Sequence, residues 1–490
     1  MTAQTTTAQT STPAPPQDDA RRAEQAWCGG DPFTAMELAD RALAAGTDPD
    51  GHAAGVAAAA SAADGAMRDG ARRWRGVAAG SAGAAAAAAG ARAALAEVLT
   101  GGMDAAERDL ACARELAPDP APRALAVLLE GVGAVRDAIG GDLDGAARAL
   151  TGLAAVTVPP DLLAAERWDE LASCVAAAGG DDATARAMLD RDSATSTTRR
   201  TLLATWSDLR AGHVAAARAG LAGVGDAPVL RRDAVLAAAV SAGLARRSGG
   251  AAPLASTWRR SAPVVAGADV EILLLDVWGE LSVAAQLVDP ADDAALAAAM
   301  ADAVTRAGSP WWAVAADRWW QVERAAVAGD AEAAGDAART LHALAPGHAR
   351  LQPLADAAAV WAAVLRSSVH PPDVARAARG LADCGRGFEA TQLCAAAAAR
   401  TADPAAARAL LGAVRKLRRR PATSGSAPAD ALSPREREVG ALVVDGLTHK
   451  EIGSRLYISP KTVEQHVARL RQKLAASSRA SLVAALRERL

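Results

Sequence analysis

One spacing recurs along most of the chain and constrains its fold more than any other feature. A glycine lies five residues before an alanine that opens a helical stretch, in the pairs Gly30/Ala35, Gly101/Ala106, Gly141/Ala146, Gly180/Ala185, Gly212/Ala217, Gly329/Ala334 and Gly385/Ala390. Several of these pairs follow one another at intervals of 32 to 40 residues. Between two packed helices, glycine relaxes the turn and alanine lets the second helix approach closely. The spacing therefore predicts stacked helical hairpins, with no clear copy between residues 221 and 328.

The composition also favours helices. Alternating β-branched and aromatic residues are nearly absent between Arg21 and Leu411, where Ala, Leu, Arg and Glu dominate. Much of the 51% hydrophobic fraction is alanine, which favours helix but buries little area. No apolar run of about 18 residues is free of charge and glycine, so no membrane span is expected. Residues 1–20 are rich in Thr, Gln and Pro and are predicted to be a disordered tail.

The hairpin pattern includes further positions around two of the pairs. Ala113 and Pro118 follow Gly101 and Ala106, and Pro346 follows Gly329 and Ala334. This combination of turn glycine, packing alanine and helix-ending proline resembles tetratricopeptide repeats. The expected fold class is therefore all-α, with a tetratricopeptide-like solenoid in residues 21–414. A generic array of helical hairpins is the broader form of this prediction.

The distribution of lysine excludes several classes of protein. The chain has four lysines, and all of them come late, at Lys416, Lys450, Lys461 and Lys473. A Walker A loop, a protein kinase and a pyridoxal-phosphate enzyme each need a lysine at the reacting group, so none can be built before residue 416. A phospho-acceptor receiver domain, which also needs a lysine, is disfavoured for the same reason. We expect no cofactor and no catalytic residues.

The cysteines and histidines give no sign of a metal site. The five cysteines are odd in number and scattered, at Cys28, Cys112, Cys174, Cys384 and Cys394. Because none stands in a Cys-x-x-Cys spacing, we expect buried reduced thiols. The seven histidines do not fall at metal-ligand spacings either, so no metal is predicted.

Two features of the helical region suggest ligand sites. Residues 272–276 read Ile-Leu-Leu-Leu-Asp, like a Walker B motif, but without a Walker A loop we interpret them as one buried helical turn. The second feature is a set of four candidates for an effector groove, Trp311, Trp312, Trp319 and Trp320. Positions 312 and 319 are only about 20° apart on a helix, which places their indoles on one side. The favoured alternative is that these indoles fill volume that alanine helices leave empty.

Charge divides the chain into two parts. From Arg415 to the end there are 16 Lys and Arg against 7 Asp and Glu, a net charge of +9, whereas residues 1–414 carry 37 against 49, a net charge of −12. Phosphate repels the acidic part and attracts the basic part, so contact with DNA is expected at the C-terminal end. Residues 415–431 are first basic and then rich in Ser, Ala and Pro, which predicts a flexible linker.

Four short helices are predicted in residues 432–490. Ser433 is a cap and Pro434 the first residue of a helix that ends near Gly446. Thr448 caps a second helix that ends at Leu456. A third helix follows the tight connection of residues 457–460 and runs to about residue 474, and a last helix covers residues 478–490.

The third predicted helix has two different faces. Its apolar residues recur at intervals of four, three and four and face inward: Val463, Val467, Leu470 and Leu474. A helical projection places the polar and small residues outward: Lys461, Gln465, Ala468 and Gln472, flanked by Glu464, Arg469 and Arg471. A helix of this kind, held by a short helix across a four-residue turn, has the size and geometry to enter a major groove.

Four motifs occur in register along the same residues. They are Leu-Ser-Pro-Arg-Glu-Arg-Glu-Val from Leu432, Gly-Leu-Thr-His-Lys-Glu-Ile-Gly from Gly446, Leu-Tyr-Ile-Ser-Pro-Lys-Thr-Val-Glu-Gln-His-Val from Leu456, and Arg-Gln-Lys-Leu from Arg471. Together they resemble the LuxR/FixJ helix-turn-helix family, which implies a four-helix domain whose third helix reads DNA. The family often has lysine where this chain has Glu464, and glutamate accepts a hydrogen bond from cytosine but repels phosphate.

The resemblance and the helical projection give a set of candidate DNA-binding residues. They are Thr448, Lys450, Ser459, Lys461, Thr462, Glu464, Gln465, His466, Arg469, Gln472 and Lys473. The alternative for the basic members is an ordinary solvated face, and His466 is equally compatible with a place in the core.

The whole arrangement is similar to the C-terminal part of large MalT-like regulators, which carry an ATPase, a helical repeat region and this DNA-binding domain. The ATPase is missing here. We therefore predict a cytoplasmic bacterial transcriptional regulator whose helical array senses an effector or docks a protein. The expected partners are promoter DNA, an effector or protein on the array, RNA polymerase and, on DNA, a second copy of the chain. The alternatives are a helical scaffold whose helix-turn-helix domain contacts proteins, and an enzyme that uses the tryptophan-rich region, which the lack of a nucleophile or acid-base constellation disfavours.

The predicted homodimer depends on the last helix. Leu482, Leu486 and Leu490 recur every four residues, and a domain of roughly sixty residues cannot easily bury all of them alone. The alternative is that Leu482 and Leu486 complete the core of their own domain.

Overall fold

The computed structural model of the chain describes residues 17–48, 51–156, 167–190, 197–225 and 230–419, and in the C-terminal part residues 439–440, 442–444, 446–456, 463–464, 467, 470–471, 476 and 479–487. The chain divides into two compact units, residues 1–423 and 424–490. Every regular element among these described residues is helical, which confirms the all-α prediction.

Helices follow one another through the first unit with short connections between them. They are α1 (Gln17–Cys28), α2 (Pro32–Ala44), α3 (His52–Ala63), α4 (Met67–Ala79), α5 (Gly83–Leu99), α6 (Met103–Leu116), α7 (Arg123–Gly140), α8 (Leu143–Ala154), α9 (Trp168–Ala178), α10 (Asp182–Leu189), α11 (Thr198–Arg210), α12 (Val214–Val224), α13 (Arg231–Ser248), α14 (Ala251–Ala266), α15 (Leu275–Val288), α16 (Pro290–Arg306), α17 (Trp311–Ala328), α18 (Ala331–Leu344), α19 (Gln352–Leu365), α20 (Pro371–Asp383), α21 (Gly387–Arg400) and α22 (Pro404–Arg419). Most helices adjacent in sequence pack against each other, and the short turns make such pairs antiparallel.

The seven predicted glycine turns are confirmed. Each of these glycines lies between two consecutive helices and has a φ between +75° and +114°. The alanine five residues later is buried in every pair, with at most 3% of its surface exposed. At Gly141 the φ of +114° is one that L side chains rarely adopt, so glycine is required there. Close packing of a hairpin is visible at Ser173, whose hydroxyl donates to the carbonyl oxygen of Ala185 at 2.9 Å.

Residues 231–306 form hairpins without the glycine and alanine pair. The turn between α15 and α16 uses Asp289 as a cap, whose side chain accepts a hydrogen bond from the Ala291 N–H at 3.0 Å, while Pro290 takes the first helical position. The interpretation of residues 272–276 as a buried helical turn is confirmed. A 3-10 turn at Ile272–Leu274 leads into α15, and its side chains are buried.

Early hairpins of the first unit contact late ones. Arg68, at the start of α4, donates from Nε to Asp269 Oδ1 at 2.7 Å, across 201 residues of sequence. Arg350, just before α19, lies 3.3 Å from Asp144 of α8, across 206 residues. Hairpins about two hundred residues apart in sequence therefore contact each other in the array. A continuous hydrophobic core runs from α4 to α22.

Two predicted segment boundaries are wrong by a few residues. α1 begins at Gln17, inside the tail predicted over residues 1–20. α22 continues to Arg419, so residues 415–419, predicted as linker, are helical. The physical reason is that Leu410, Val414 and Leu417 keep the apolar spacing of a helix across the predicted boundary, and the first two are buried.

The prediction of buried cysteines holds in part. Cys174 and Cys394 are buried and Cys384 is half-buried, but Cys28 and Cys112 are exposed because they lie on the polar faces of α1 and α6. Within the described ranges, no three His, Cys, Asp or Glu side chains are grouped so that they could hold a metal ion. A helix long and apolar enough to cross a membrane is likewise not found in the part of the chain that the structure describes.

Candidate nucleic-acid interface

A small hydrophobic core holds the C-terminal unit together. Its buried members come from all four predicted helices: Val439, Val443, Ile452, Val463, Val467, Leu470, Leu482 and Leu486. The inward face predicted for the third helix is therefore confirmed at Val463, Val467 and Leu470. Leu474 lies outside the described residues.

The connection between the first and second helices is fixed by caps. Gly446 ends the first helix with a φ of +86°, and the Leu447 N–H donates to the carbonyl oxygen of Leu442 at 3.1 Å. The second helix, α23 (His449–Leu456), begins with a reciprocal cap. The Glu451 N–H donates to the Thr448 hydroxyl at 3.4 Å, and the Thr448 N–H donates to the Glu451 carboxylate at 2.7 Å. The hydrogen bonds from Thr448 lower the pKa of Glu451.

Three candidate DNA-binding residues lie in the described part, and all three are exposed: Thr448, Lys450 and Glu464. Lys450 is on α23, which turns its buried Ile452 toward the core, and Glu464 follows the buried Val463 of the third helix. The other candidates lie outside the described residues: Ser459, Lys461, Thr462, Gln465, His466, Arg469, Gln472 and Lys473. Arg455, which was not a candidate, is also exposed on α23, five residues after Lys450.

The last helix, α24 (Arg479–Arg487), corrects the argument for a dimer. Leu482 and Leu486 are fully buried in the core of their own domain, as the alternative predicted. Their side chains are therefore not available to contact a second copy of the chain. Leu490, the third leucine of the series, lies outside the described residues.

The four tryptophan candidates of the first unit are divided between a cavity and the core. Trp311 and Trp312 line a cavity of about 560 Å³, which we call the tryptophan cavity. Trp311 stacks on His348 with ring centroids 3.9 Å apart. Trp319 and Trp320 are fully buried and do not line this cavity. The structure therefore brings only the first two to a potential groove, and the other two fill volume in the core.

Asp276 joins several helices at the wall of the tryptophan cavity. Its carboxylate accepts a hydrogen bond from Trp320 Nε1 at 2.7 Å and one from Arg386 at 3.1 Å, and it forms an ion pair with Arg210 of α11. Sequence reasoning drew attention to Asp276 only through the Walker-like run. Its partner Arg210 lies 66 residues earlier in the sequence and Arg386 lies 110 residues later. No local sequence pattern therefore indicates these contacts.

Comparison with known proteins concerns the C-terminal unit. Residues 430–486 match the family model described as bacterial regulatory proteins, luxR family. The spore germination protein GerE of Bacillus subtilis is 47% identical over 55 residues, which are 11% of this chain and 74% of GerE. The chain belongs to the LuxR family of bacterial regulatory proteins. The helix-turn-helix and its capped second helix are thus those of a LuxR-family DNA-binding domain.

Other relatives of this LuxR-family chain share the same short region. The transcriptional regulatory protein LiaR of Bacillus subtilis is 42% identical over 52 residues, which are 11% of the chain and 25% of LiaR. A Mycobacterium bovis protein named as an HTH-type transcriptional regulator is 45% identical over 53 residues, 11% of the chain and 6% of the relative. The matched region therefore spans only 6% of the length of this Mycobacterium bovis relative.

Proposed function

We propose that this LuxR-family protein is a cytoplasmic transcriptional regulator that binds promoter DNA through the second and third helices of residues 432–490. The observation that carries this proposal is the packing of these two helices. Ile452 of α23 and Val463, Val467 and Leu470 share one core, whereas Lys450, Glu464 and Arg471 are exposed. A short capped helix packed on the core side of the third helix fits a helix-turn-helix whose third helix enters a major groove.

Electrostatics and the relatives support the same function. The net charge of +9 after residue 414 attracts phosphate, whereas the net charge of −12 before it does not. The relative LiaR is a protein named as a transcriptional regulator. Base contacts are assigned to the outer face of the third helix, and phosphate contacts to the basic residues of the candidate set.

We assign the helical array, residues 21–414, a sensing or docking role. The array consists of hairpins with glycine turns, and hairpins about two hundred residues apart contact each other. These features fit a tetratricopeptide-like superhelix, as in the repeat region of MalT-like regulators. Trp311 and Trp312 make the tryptophan cavity one candidate effector groove. RNA polymerase is a further candidate partner.

The test is selection of duplexes from a random library by the full chain, followed by titration of the selected duplex at increasing salt. Lys450→Glu is expected to weaken binding and to reduce the salt slope by about 1, because one phosphate contact is lost. Arg487→Glu is the matched control, since it reverses an exposed charge on α24, outside the proposed interface.

Reversing both Lys461 and Arg469 to glutamate should abolish binding altogether, because attraction to phosphate becomes repulsion at two proposed contacts. Retained affinity of this double variant at low salt, or an equal loss in Arg487→Glu, would overturn the assignment of the third helix.

A further inference from the structure

A second cavity lies in the array, between helices α13, α14, α15, α17, α19 and α21. Its volume is about 600 Å³, which is in the range of small-molecule sites. Alanine, glycine, leucine and valine form most of its wall, and its polar lining residues are Arg246, Glu323, Trp361 and Gln392. We call it the glutamate cavity.

Three polar residues of this wall have a buried atom without a hydrogen-bond partner among the described residues, and one of them, Arg246, forms an ion pair with Glu280 at 2.7 Å. Glu323 is 3% exposed and Trp361 is 4% exposed. Glu323 Oε1 and Trp361 Nε1 have no hydrogen-bond partner among the residues that the structure describes. Because buried polar atoms are nearly always hydrogen-bonded, two such atoms at the wall of one cavity point to a ligand that pairs with them. The tryptophan cavity differs, since Asp276, Arg210, Arg350 and Arg386 there all have partners.

The groups at the wall of the glutamate cavity favour a ligand that accepts hydrogen bonds. Trp361 Nε1 is only a donor. Arg246 lies 2.7 Å from Glu280, which also pairs with Arg247 at 3.4 Å, and 3.9 Å from Glu323 Oε2. Its guanidinium is also only a donor. Burial and the neighbouring Glu389 raise the pKa of Glu323, which favours the protonated carboxyl, a form that can donate a hydrogen bond. An oxygen atom with free lone pairs is the group that these donors fit.

The rim of the same cavity is apolar. Leu287 of α15 and Val327 of α17 line it, and both are unusually exposed for large aliphatic residues, at 49% and 37%. Burial of such side chains by an alkyl chain is favourable. The apolar rim and the polar groups of the wall together describe an amphipathic ligand.

We propose that the glutamate cavity binds an aliphatic molecule that ends in a carbonyl or carboxylate oxygen. The oxygen accepts hydrogen bonds from Trp361 Nε1 and Glu323, and the alkyl chain lies along the aliphatic wall toward Leu287 and Val327. The proposal that this cavity binds a ligand depends only on the geometry of the array. The further expectation that the ligand changes DNA binding rests on the proposed function.

The experiment is calorimetric titration of the full chain, without DNA, with decanoic acid, methyl decanoate and decylamine. The acid and the ester share the alkyl chain and the carbonyl oxygen, whereas the amine has the chain without an acceptor oxygen. Binding of the acid, the ester or both supports the proposal and shows whether charge is required. Equal binding of decylamine, or binding of none of the three, would overturn it.

Two matched pairs of variants locate the bound probe. Ala326 lines the glutamate cavity and Ala316 lines the tryptophan cavity, and both are half-buried on α17. Ala326→Phe should abolish binding and Ala316→Phe should not, because only the former fills the proposed site. Trp361→Phe should weaken binding about tenfold, since it removes one hydrogen-bond donor and keeps the ring.

Trp319→Phe is the control for Trp361→Phe. Trp319 Nε1 is also buried without a hydrogen-bond partner among the described residues, but Trp319 does not line the glutamate cavity. Circular dichroism verifies that each variant is folded. If Ala316→Phe abolishes binding instead, or if Trp361→Phe and Trp319→Phe bind equally, the site is not the glutamate cavity. Titration of the probe-bound protein with duplex DNA then measures any effect of the ligand on DNA binding. The calorimetric test does not depend on that measurement, because it is done without DNA.

Discussion

Glu271 shows how a single residue connects three helices of the array. Its carboxylate is buried and accepts hydrogen bonds from Arg199 of α11 at 2.6 Å and from Arg232 of α13 at 2.6 and 3.0 Å. Burial alone would raise the pKa of Glu271, but the charges and hydrogen bonds of the two arginines outweigh it and lower the pKa to about 2. The ionised form is therefore the one that stabilises the fold.

Replacing Glu271 with glutamine is expected to lower the free energy of unfolding by about 3 kcal/mol at neutral pH, because two buried guanidinium groups lose their shared carboxylate. Since the folded pKa lies below the ordinary value of 4.5, the stabilisation is complete above that pH and is lost as pH falls toward 2. Urea unfolding of both proteins across this window checks the prediction. Asp336→Asn, in an exposed ion pair with Arg339, should cost less than about 1 kcal/mol. A difference between Glu271→Gln and the parent that does not change with pH would contradict the argument.

Glu464 stands at a position where the sequence resemblance implies a lysine. It is exposed next to the buried Val463, and the helical projection places it beside the face proposed to meet DNA. Glu464→Lys is expected to tighten binding to duplexes of any sequence and to steepen the salt slope by about 1, because repulsion from phosphate becomes attraction. Glu464→Gln removes the negative charge without adding a positive one. Its DNA affinity and salt slope should lie between those of the parent protein and Glu464→Lys. Anisotropy titrations that rank the three proteins otherwise would remove Glu464 from the interface.

At the level of the helical hairpin, the turns could be predicted from sequence because their cause is local. The turn glycine and the packing alanine lie five residues apart, and both requirements act within one hairpin. The contact of α4 with Asp269 has no such signal, because it depends on how the hairpins stack over 201 residues of chain. The hairpins of residues 231–306 were missed for another reason, since the α15–α16 turn uses Asp289-Pro290 in place of glycine.

Two glycine turns have the same backbone conformation but different surroundings. Alanine substitutions at them therefore distinguish the free-energy cost of the left-handed backbone from the cost of disturbing a neighbouring hairpin. Gly101 and Gly212 both have a φ of +82°. A Cβ at Gly101 would overlap the carbonyl oxygen of Ala303, whereas a Cβ at Gly212 would meet nothing within 4 Å. Gly212→Ala should therefore cost about 1 to 2 kcal/mol for the left-handed conformation alone. Gly101→Ala should cost about 1 to 3 kcal/mol more, because α16 must move. Equal losses in urea unfolding would mean that the contact between the α5–α6 turn and α16 does not stabilise the array.

The two candidate sites of the molecule differ in how much sequence alone predicts. The helix-turn-helix is contained in one short segment, so caps, glycine and apolar spacing placed Thr448, Gly446, Val463 and Val467 correctly. The glutamate cavity draws its lining residues from positions as distant as Arg246 and Gln392. Because an unpaired buried atom is a property of the packed array, no periodicity in the sequence indicates it.

The oligomeric state on DNA is a property of the whole molecule, and the burial of Leu482 and Leu486 leaves Leu490 as the residue of that series to test. If two copies pair through their last helices, their reading helices lie about one turn of DNA apart, roughly 34 Å, and the selected duplex contains an inverted repeat. Leu490→Arg should then bind the full repeat no better than a half-site, although the added positive charge by itself favours DNA. Leu490→Gln, which is polar without charge, should lose cooperativity in the same way. Analytical ultracentrifugation of each protein with the full and half duplexes measures the stoichiometry. Unchanged cooperative binding by both variants would move the contact between copies away from the last helix and into the helical array.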